Sequence, residues 1–449
     1  MNRSRLSRRT FLQGLALTTG ATALVACTPA AAPDAAPAAG DAAAGGEAAA
    51  AESQTVSIMN WDEIAGTPFE AVLNAYQEAS GVTVEVQPSP AQDYETRMRT
   101  MIAGGTAPDV MRINDDFVRG YTSEGALLDI SSFLERDGIT GEEYFDTIFN
   151  FPRQPSGEYT AWSVGCQPNV TFYNKTMFEE VGVPLPPTTW TDENWKFADF
   201  LEAAQALTVE GERWGALVYS STGFETVFPV SNGEPGGIYS FDGTEFTLAN
   251  PKSIEAVQWV ADLTCVHKVQ PEWGVVTRSG APNQLFASGQ LGMYFNVFGV
   301  APYMRENATD FVWDIAPTPG QETQTTIATI VCFCIPTVAT NPDGAWDLLS
   351  YMSGEEGARI FADAGAFIPP LRDMAVYMVE NNGDQPPEHI GLVIDALENS
   401  VTENFSAYIE RARSFYRGEL ELVYTCQTSA EEALTGIREE VERALAGEI

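Results

Sequence analysis

The chain has 449 residues, too many for one ordinary core and enough for two lobes of usual domain size. It carries 62 acidic against 24 basic residues, a formal net charge of −38, which repels nucleic acid and anionic lipid and speaks against a phosphate-rich substrate. Hydrophobic residues make up 44%, enough for a real core, while the two histidines, His267 and His389, and the lack of a Cys-x-x-Cys leave a transition-metal site poorly supplied.

Arg3, Arg5, Arg8 and Arg9 form a basic leader, and Ser7-Arg8-Arg9-Thr10-Phe11-Leu12 matches the twin-arginine export signature. The apolar stretch that follows to Ala26 is shorter than the roughly 20 residues a spanning helix needs, so it reads as the core of a signal peptide over residues 1–26. Leu24-Val25-Ala26-Cys27 resembles a bacterial lipobox, which implies acylation of Cys27 and anchoring at the outer face of the cytoplasmic membrane. Residues 28–54 are nearly all Ala, Pro, Gly, Asp and Glu, with no large side chain to bury, and read with Cys27 as a flexible tether.

Thr55 to Asn60 is strand-like, and Phe69, Val72, Leu73, Tyr76 and Ala79 then recur at helical spacing up to Gly81, a helix-ending glycine. Val82, Val84 and Val86 alternate with Thr83 and Glu85, predicting a strand with one buried face. Tyr94, Met98, Met101 and Ile102 mark a second helix, and Asp109 to Ile113 a third strand. A β-α-β-α-β run of this kind predicts parallel strands, right-handed crossovers and an open α/β sheet. Asn250-Pro251 and Asn341-Pro342 each predict a capped helix start, Gly354 a helix end, and Ser429-Ala430-Glu431-Glu432 a capping box before a terminal helix.

Once Cys27 is set aside, five cysteines remain: Cys166, Cys265, Cys332, Cys334 and Cys426. At least one is then unpaired, and disulfide pairing and burial as small hydrophobes both fit the rest.

From Thr171 to Trp190 the sequence reads Thr-Phe-Tyr-Asn-Lys, then Phe178, Val181-Gly-Val-Pro184 and Pro186-Pro-Thr-Thr-Trp190. With Gly105-Thr-Ala-Pro-Asp-Val110, Phe286-Ala-Ser-Gly-Gln-Leu-Gly-Met-Tyr294, Ala316-Pro-Thr-Pro-Gly320 and Ala345-Trp346, this resembles the family 1 extracellular solute-binding proteins of bacterial ABC importers, the group that includes maltose-binding protein. The likeness covers most of residues 55–449, with 371–399 the least similar part. It implies the type II periplasmic-binding-protein fold: two α/β lobes, each an open sheet flanked by helices, with the ligand in the cleft between them. Carried onto this chain, residues 55–164 and 310–353 form one lobe and 165–309 and 354–449 the other, with hinges near Gly165, Ala316 and Gly354. The partners implied are a small solute, most of all a sugar, and the importer's permease subunits. The chain is expected to act as a monomer, without cofactor, metal or catalysis.

A sugar presents a face of polarised C–H groups and a rim of hydroxyls, which aromatic rings and carboxylates or amides recognise. In open α/β sheets such ligands sit beyond the carboxyl ends of strands. The first strand ends at Asn60-Trp61-Asp62-Glu63 and the third at Ile113-Asn114-Asp115-Asp116-Phe117. Trp61, Asp62, Asp115 and Asp116 are therefore candidate ligand contacts, Asp116 being equally suited to capping a helix that starts at Phe117. The resemblance adds Asn296 and Phe298, and Trp162, Trp273 and Tyr416 complete the set, packing being the default reading for these three. The remaining tryptophans read as structural.

Other classes find less support. With 62 acids, a pair of carboxylates suited to glycoside hydrolysis arises by abundance alone. There is no Gly-x-Ser-x-Gly elbow, Walker A loop, helix-opening Gly-x-Gly-x-x-Gly or His-Glu-x-x-His. A surface adhesin or sensor, and binders of polyols, polyamines or peptides, remain as alternatives; an anion would need a basic cluster that the sequence does not reveal.

Overall fold

The computed structural model describes residues 55–61, 64–89, 93–190, 195–219, 223–278, 280–365 and 367–449. The signal peptide, Cys27, the tether and Asp62 lie outside the described residues.

Among the described residues nine strands organise the fold: β1 (Thr55–Asn60), β2 (Thr83–Pro88), β3 (Val110–Ile113), β4 (Trp162–Asn174), β5 (Trp214–Leu217), β6 (Leu291–Val297), β7 (Trp313–Ala316), β8 (Thr326–Cys334) and β9 (Ser400–Val401). The main path runs β2-β1-β3-β8-β4-β6-β5. As the β-α-β-α-β pattern predicts, β1 pairs in parallel with both β2 and β3. Gly81 ends the helix Pro68–Ser80 at φ 74°, a conformation that costs glycine little. The second strand departs from its prediction in burial: β2 is an edge strand and leaves Val86 42% exposed.

Two long strands join the lobes. The first half of β4, Trp162 to Pro168, pairs antiparallel with β8, while its second half pairs with β6 and β7. The far end of β8 continues the first sheet, Cys332 to Cys334 lying opposite Met111 to Ile113 of β3. A register shift between Ser163 and Gly165 interrupts the β4–β8 ladder, at one of the glycines expected to lie near a hinge.

Two segments make contacts across the expected lobe boundaries. Trp313–Ala316 belongs with the second half of β4, because Thr171 to Asn174 hydrogen-bond to it. The helix Glu355–Ala364 packs on Pro68–Ser80 in the first lobe, where Phe361 meets Phe69 edge-on at 5.1 Å. Their apolar faces match, and this overrides the chain break at Gly354.

Helix starts follow the sequence in part. Asn341 accepts from the Gly344 amide and Ser429 from the Glu432 amide, as caps do. Asn250 precedes its helix without capping it: its amide donates to Glu234 and its oxygen accepts from Arg438. Of the cysteines, Cys265 and Cys426 form a disulfide across 161 residues of chain, whereas Cys166, Cys332 and Cys334 are free and buried. Among the described residues no helix is long and apolar enough to cross a membrane.

A cleft of paired charges between the lobes

The single turn Asp115–Phe117 follows β3 directly, so Asn114, Asp115 and Asp116 leave the carboxyl end of a first-lobe strand. Opposite, β5 runs parallel to β6, and the chain beyond its carboxyl end passes Tyr219 and turns at Gly223 into the helix Phe224–Ser231. The helix Ile409–Tyr424 supplies Arg413 and Arg417, four apart and therefore on one face. Ile327 and Thr329 of β8 lie between the two sides. These groups enclose a cavity of about 440 Å³. A second cavity of about 540 Å³, reached by Arg119, Phe151 and Phe405, adjoins it, and Asp115 and Glu403 line both. Each falls within the several-hundred-Å³ range usual for small-molecule sites.

The cleft is charged, and both of its arginines are paired with carboxylates. Arg413 Nη1 donates across the cleft to Asp116 Oδ2 and, at 2.9 Å, to Glu410. Arg417 Nη1 donates to Glu225 Oε2 at 2.9 Å. Arg119 spends its guanidinium on the carbonyls of Phe241 and Phe405, at 3.0 and 2.5 Å. Burial, then the neighbouring Asp116 and Glu403, push the Asp115 carboxyl up to about 7, although the Asp116 and Ile330 amides hold it partly down. Burial likewise raises Glu225 and Glu403, and the two arginines oppose it.

An aromatic wall stands beside these charges. Tyr219 and Phe224 line the cavity, and Trp273 lies behind them, stacked on Tyr424 at 5.1 Å and edge-on to Tyr219 at 5.2 Å.

The sequence-predicted residues fall into three groups. Asp115 and Asp116 lie in the cleft, and the helical turn beginning at Asp115 removes Asp116 from the capping role. Trp273 backs the aromatic wall, and half-buried Trp61 packs edge-on against Tyr94 with the Arg112 guanidinium 4.0 Å from its ring centre. Trp162, Phe298 and Tyr416 are each enclosed by protein. Trp162 donates to Ser353 and abuts Trp346 in the first-lobe core, Tyr416 hydroxyl pairs with that of Tyr239, and Phe298 is 5% exposed. Asn296, next to last in β6, has its side-chain amide on Tyr294 and Asn283 and its oxygen on the Val297 amide, so its hydrogen bonds serve the second lobe.

Sequence reasoning missed Tyr219, Phe224, Glu225, Glu403, Arg413 and Arg417. The strand-end rule, applied to β5, points to the first three. The arginine pair is visible as i, i+4 spacing, but nothing local says which way that face turns.

Several known proteins resemble the chain. The erythritol/L-threitol-binding protein of Mycolicibacterium smegmatis is 24% identical over 397 residues, 82% of each chain. An ABC substrate-binding protein of Listeria monocytogenes, solved with cycloalternan, superposes with a TM-score of 0.77 at 21% identity, covering 88% of this chain and 100% of that one. A solute-binding protein of Thermotoga lettingae, solved with α-D-tagatose, gives 0.72 at 18% identity over 88% and 100%. These likenesses confirm the two-lobed fold. Residues 60–359 match the family of bacterial extracellular solute-binding proteins, and the chain belongs to that family.

Proposed function

We propose that the protein is the capture component of an ABC importer and holds a polyhydroxylated solute, most of all a sugar, between its lobes. One observation carries this reading: a cavity between two lobes to which one side brings Asp115 and Asp116 and the other brings arginines and aromatic rings, with each arginine paired to a carboxylate. Carboxylates and arginines fixed by one another are ready acceptors and donors for hydroxyl groups, and the rings of Tyr219 and Phe224 suit an apolar sugar face. Contacts from both sides favour the closed form, which buries the solute for delivery. Asp115 and Asp116 act as acceptors, Trp61 and Asp62 as contacts at the end of β1, and no covalent bond is broken.

The Mycolicibacterium relative supports a second reading, a four-carbon polyol. Calorimetric titration of the purified protein with hexoses, disaccharides and erythritol separates the two. Saturable binding of at least one supports capture, and heat from a continuing reaction would point to turnover instead.

Export through the twin-arginine route, and anchoring through acylated Cys27 as a monomer beside permease subunits, complete the proposal. Cys27→Ala is expected to release the protein from the membrane fraction; an unchanged distribution would rule out the lipid anchor.

A further inference from the structure

The reading above leaves open what else the solute carries, and the smaller cavity has an imbalance that bears on this. Four carboxylates line it, those of Asp115, Asp116, Glu225 and Glu403, against two guanidinia, Arg413 and Arg417. Each arginine is already committed, Arg413 to Asp116 and Arg417 to Glu225. Asp115 and Glu403 are left without an ion-pair partner among the described residues. Asp115 accepts from the Asp116 amide at 3.0 Å, and Glu403 from the Thr226 hydroxyl at 3.1 Å. Both also line the adjoining cavity, so they stand where the two cavities meet.

We infer that the preferred solute carries a protonated amine beside its hydroxyls, and that Asp115 and Glu403 hold the ammonium. This rests on the reading that the cleft takes a polyhydroxylated solute. Two carboxylates without a direct ion pair in a partly desolvated site repel one another, and a cation placed between them relieves both. Burial is the main cause that raises Asp115, and the neighbouring Asp116 and Glu403 add to it. An ammonium also donates three hydrogen bonds and accepts none, which matches a pair of acceptor-only groups. A solute carboxylate would add a fifth negative charge to the same wall.

Calorimetry with matched trios tests this: a hexose with its 2-amino and uronic acid counterparts, and an alditol with its amino and acid counterparts, all at one ionic strength. The amine is expected to bind about tenfold more tightly than the neutral member, and the acid more weakly than either. In Asp115→Asn and Glu403→Gln, shown to be folded by circular dichroism, the amine-to-neutral affinity ratio is expected to fall towards one. Equal affinity for amine and neutral members of the unaltered protein would overturn the inference and leave the capture reading standing. Binding of no member would overturn both. An amine preference that survives in both variants would remove Asp115 and Glu403 from the role.

Discussion

Arg413 of the helix Ile409–Tyr424 reaches across the cleft to Asp116 at the end of the first-lobe strand Val110–Ile113, a link between residues 297 positions apart. Both side chains are less than one-fifth exposed, so the pair is sheltered from salt. It links the two lobes directly. Arg413→Gln is expected to loosen that tie by about 2 kcal/mol, the scale of a hydrogen bond to a charged group. Small-angle scattering should then show a larger radius of gyration for the solute-free protein. An unchanged radius would mean that the pair does not restrain the lobes.

The Asp115 carboxyl, pushed up to about 7, gives stability a definite pH dependence. Its folded value lies above the unfolded value of about 3.9. Between the two the folded state binds more protons than the unfolded one, so the contribution of Asp115 to stability falls as pH rises from about 4 through about 7. Asp115→Asn removes this loss. Scanning calorimetry should show the melting temperature of the variant gaining on that of the parent from pH 4.5 to 8, as the direction of the Asp115 shift requires. A constant difference over that range would contradict the assignment.

Gly223 turns the chain into the cleft at φ +81°, and a Cβ there would lie 2.6 Å from Ile327 Cδ1. Gly223→Ala meets both backbone strain and a clash with a strand that joins the lobes, and is expected to cost at least about 1 kcal/mol in urea unfolding. Pairing it with Ile327→Ala should relieve the clash but not the backbone term. Equal costs with and without Ile327 would show that the crowding does not matter.

The Cys265–Cys426 disulfide closes a loop of 161 residues and fixes the chain just beyond the helix that carries both cleft arginines. Constraint of the unfolded chain at this length suggests a stabilisation of about 2–4 kcal/mol. The Cys265→Ser/Cys426→Ser variant should unfold at correspondingly lower denaturant. Solute affinity should also weaken, because Arg413 and Arg417 would sit on a helix with a freer end. Unchanged unfolding would show the bond to be dispensable.

The sequence alone determined what depends on neighbours in the chain. Periodicity and punctuation located Thr55–Asn60, Pro68–Ser80 and Val110–Ile113 almost to the residue, because apolar spacing and a left-handed glycine such as Gly81 act within one or two turns. The same local logic placed Asp115 and Asp116 at a strand end. The tertiary structure decided everything that depends on partners far along the chain. Whether Trp162 faces a cleft or a core turned on Trp346 and Ser353, and the home of Trp313–Ala316 on pairing with Thr171 to Asn174. The arginines of the cleft were legible as residues but not as a site, since their meaning comes from carboxylates about 190 and 300 positions away. Spacing along a helix says which side chains share a face. Only the packing of that helix says what the face meets.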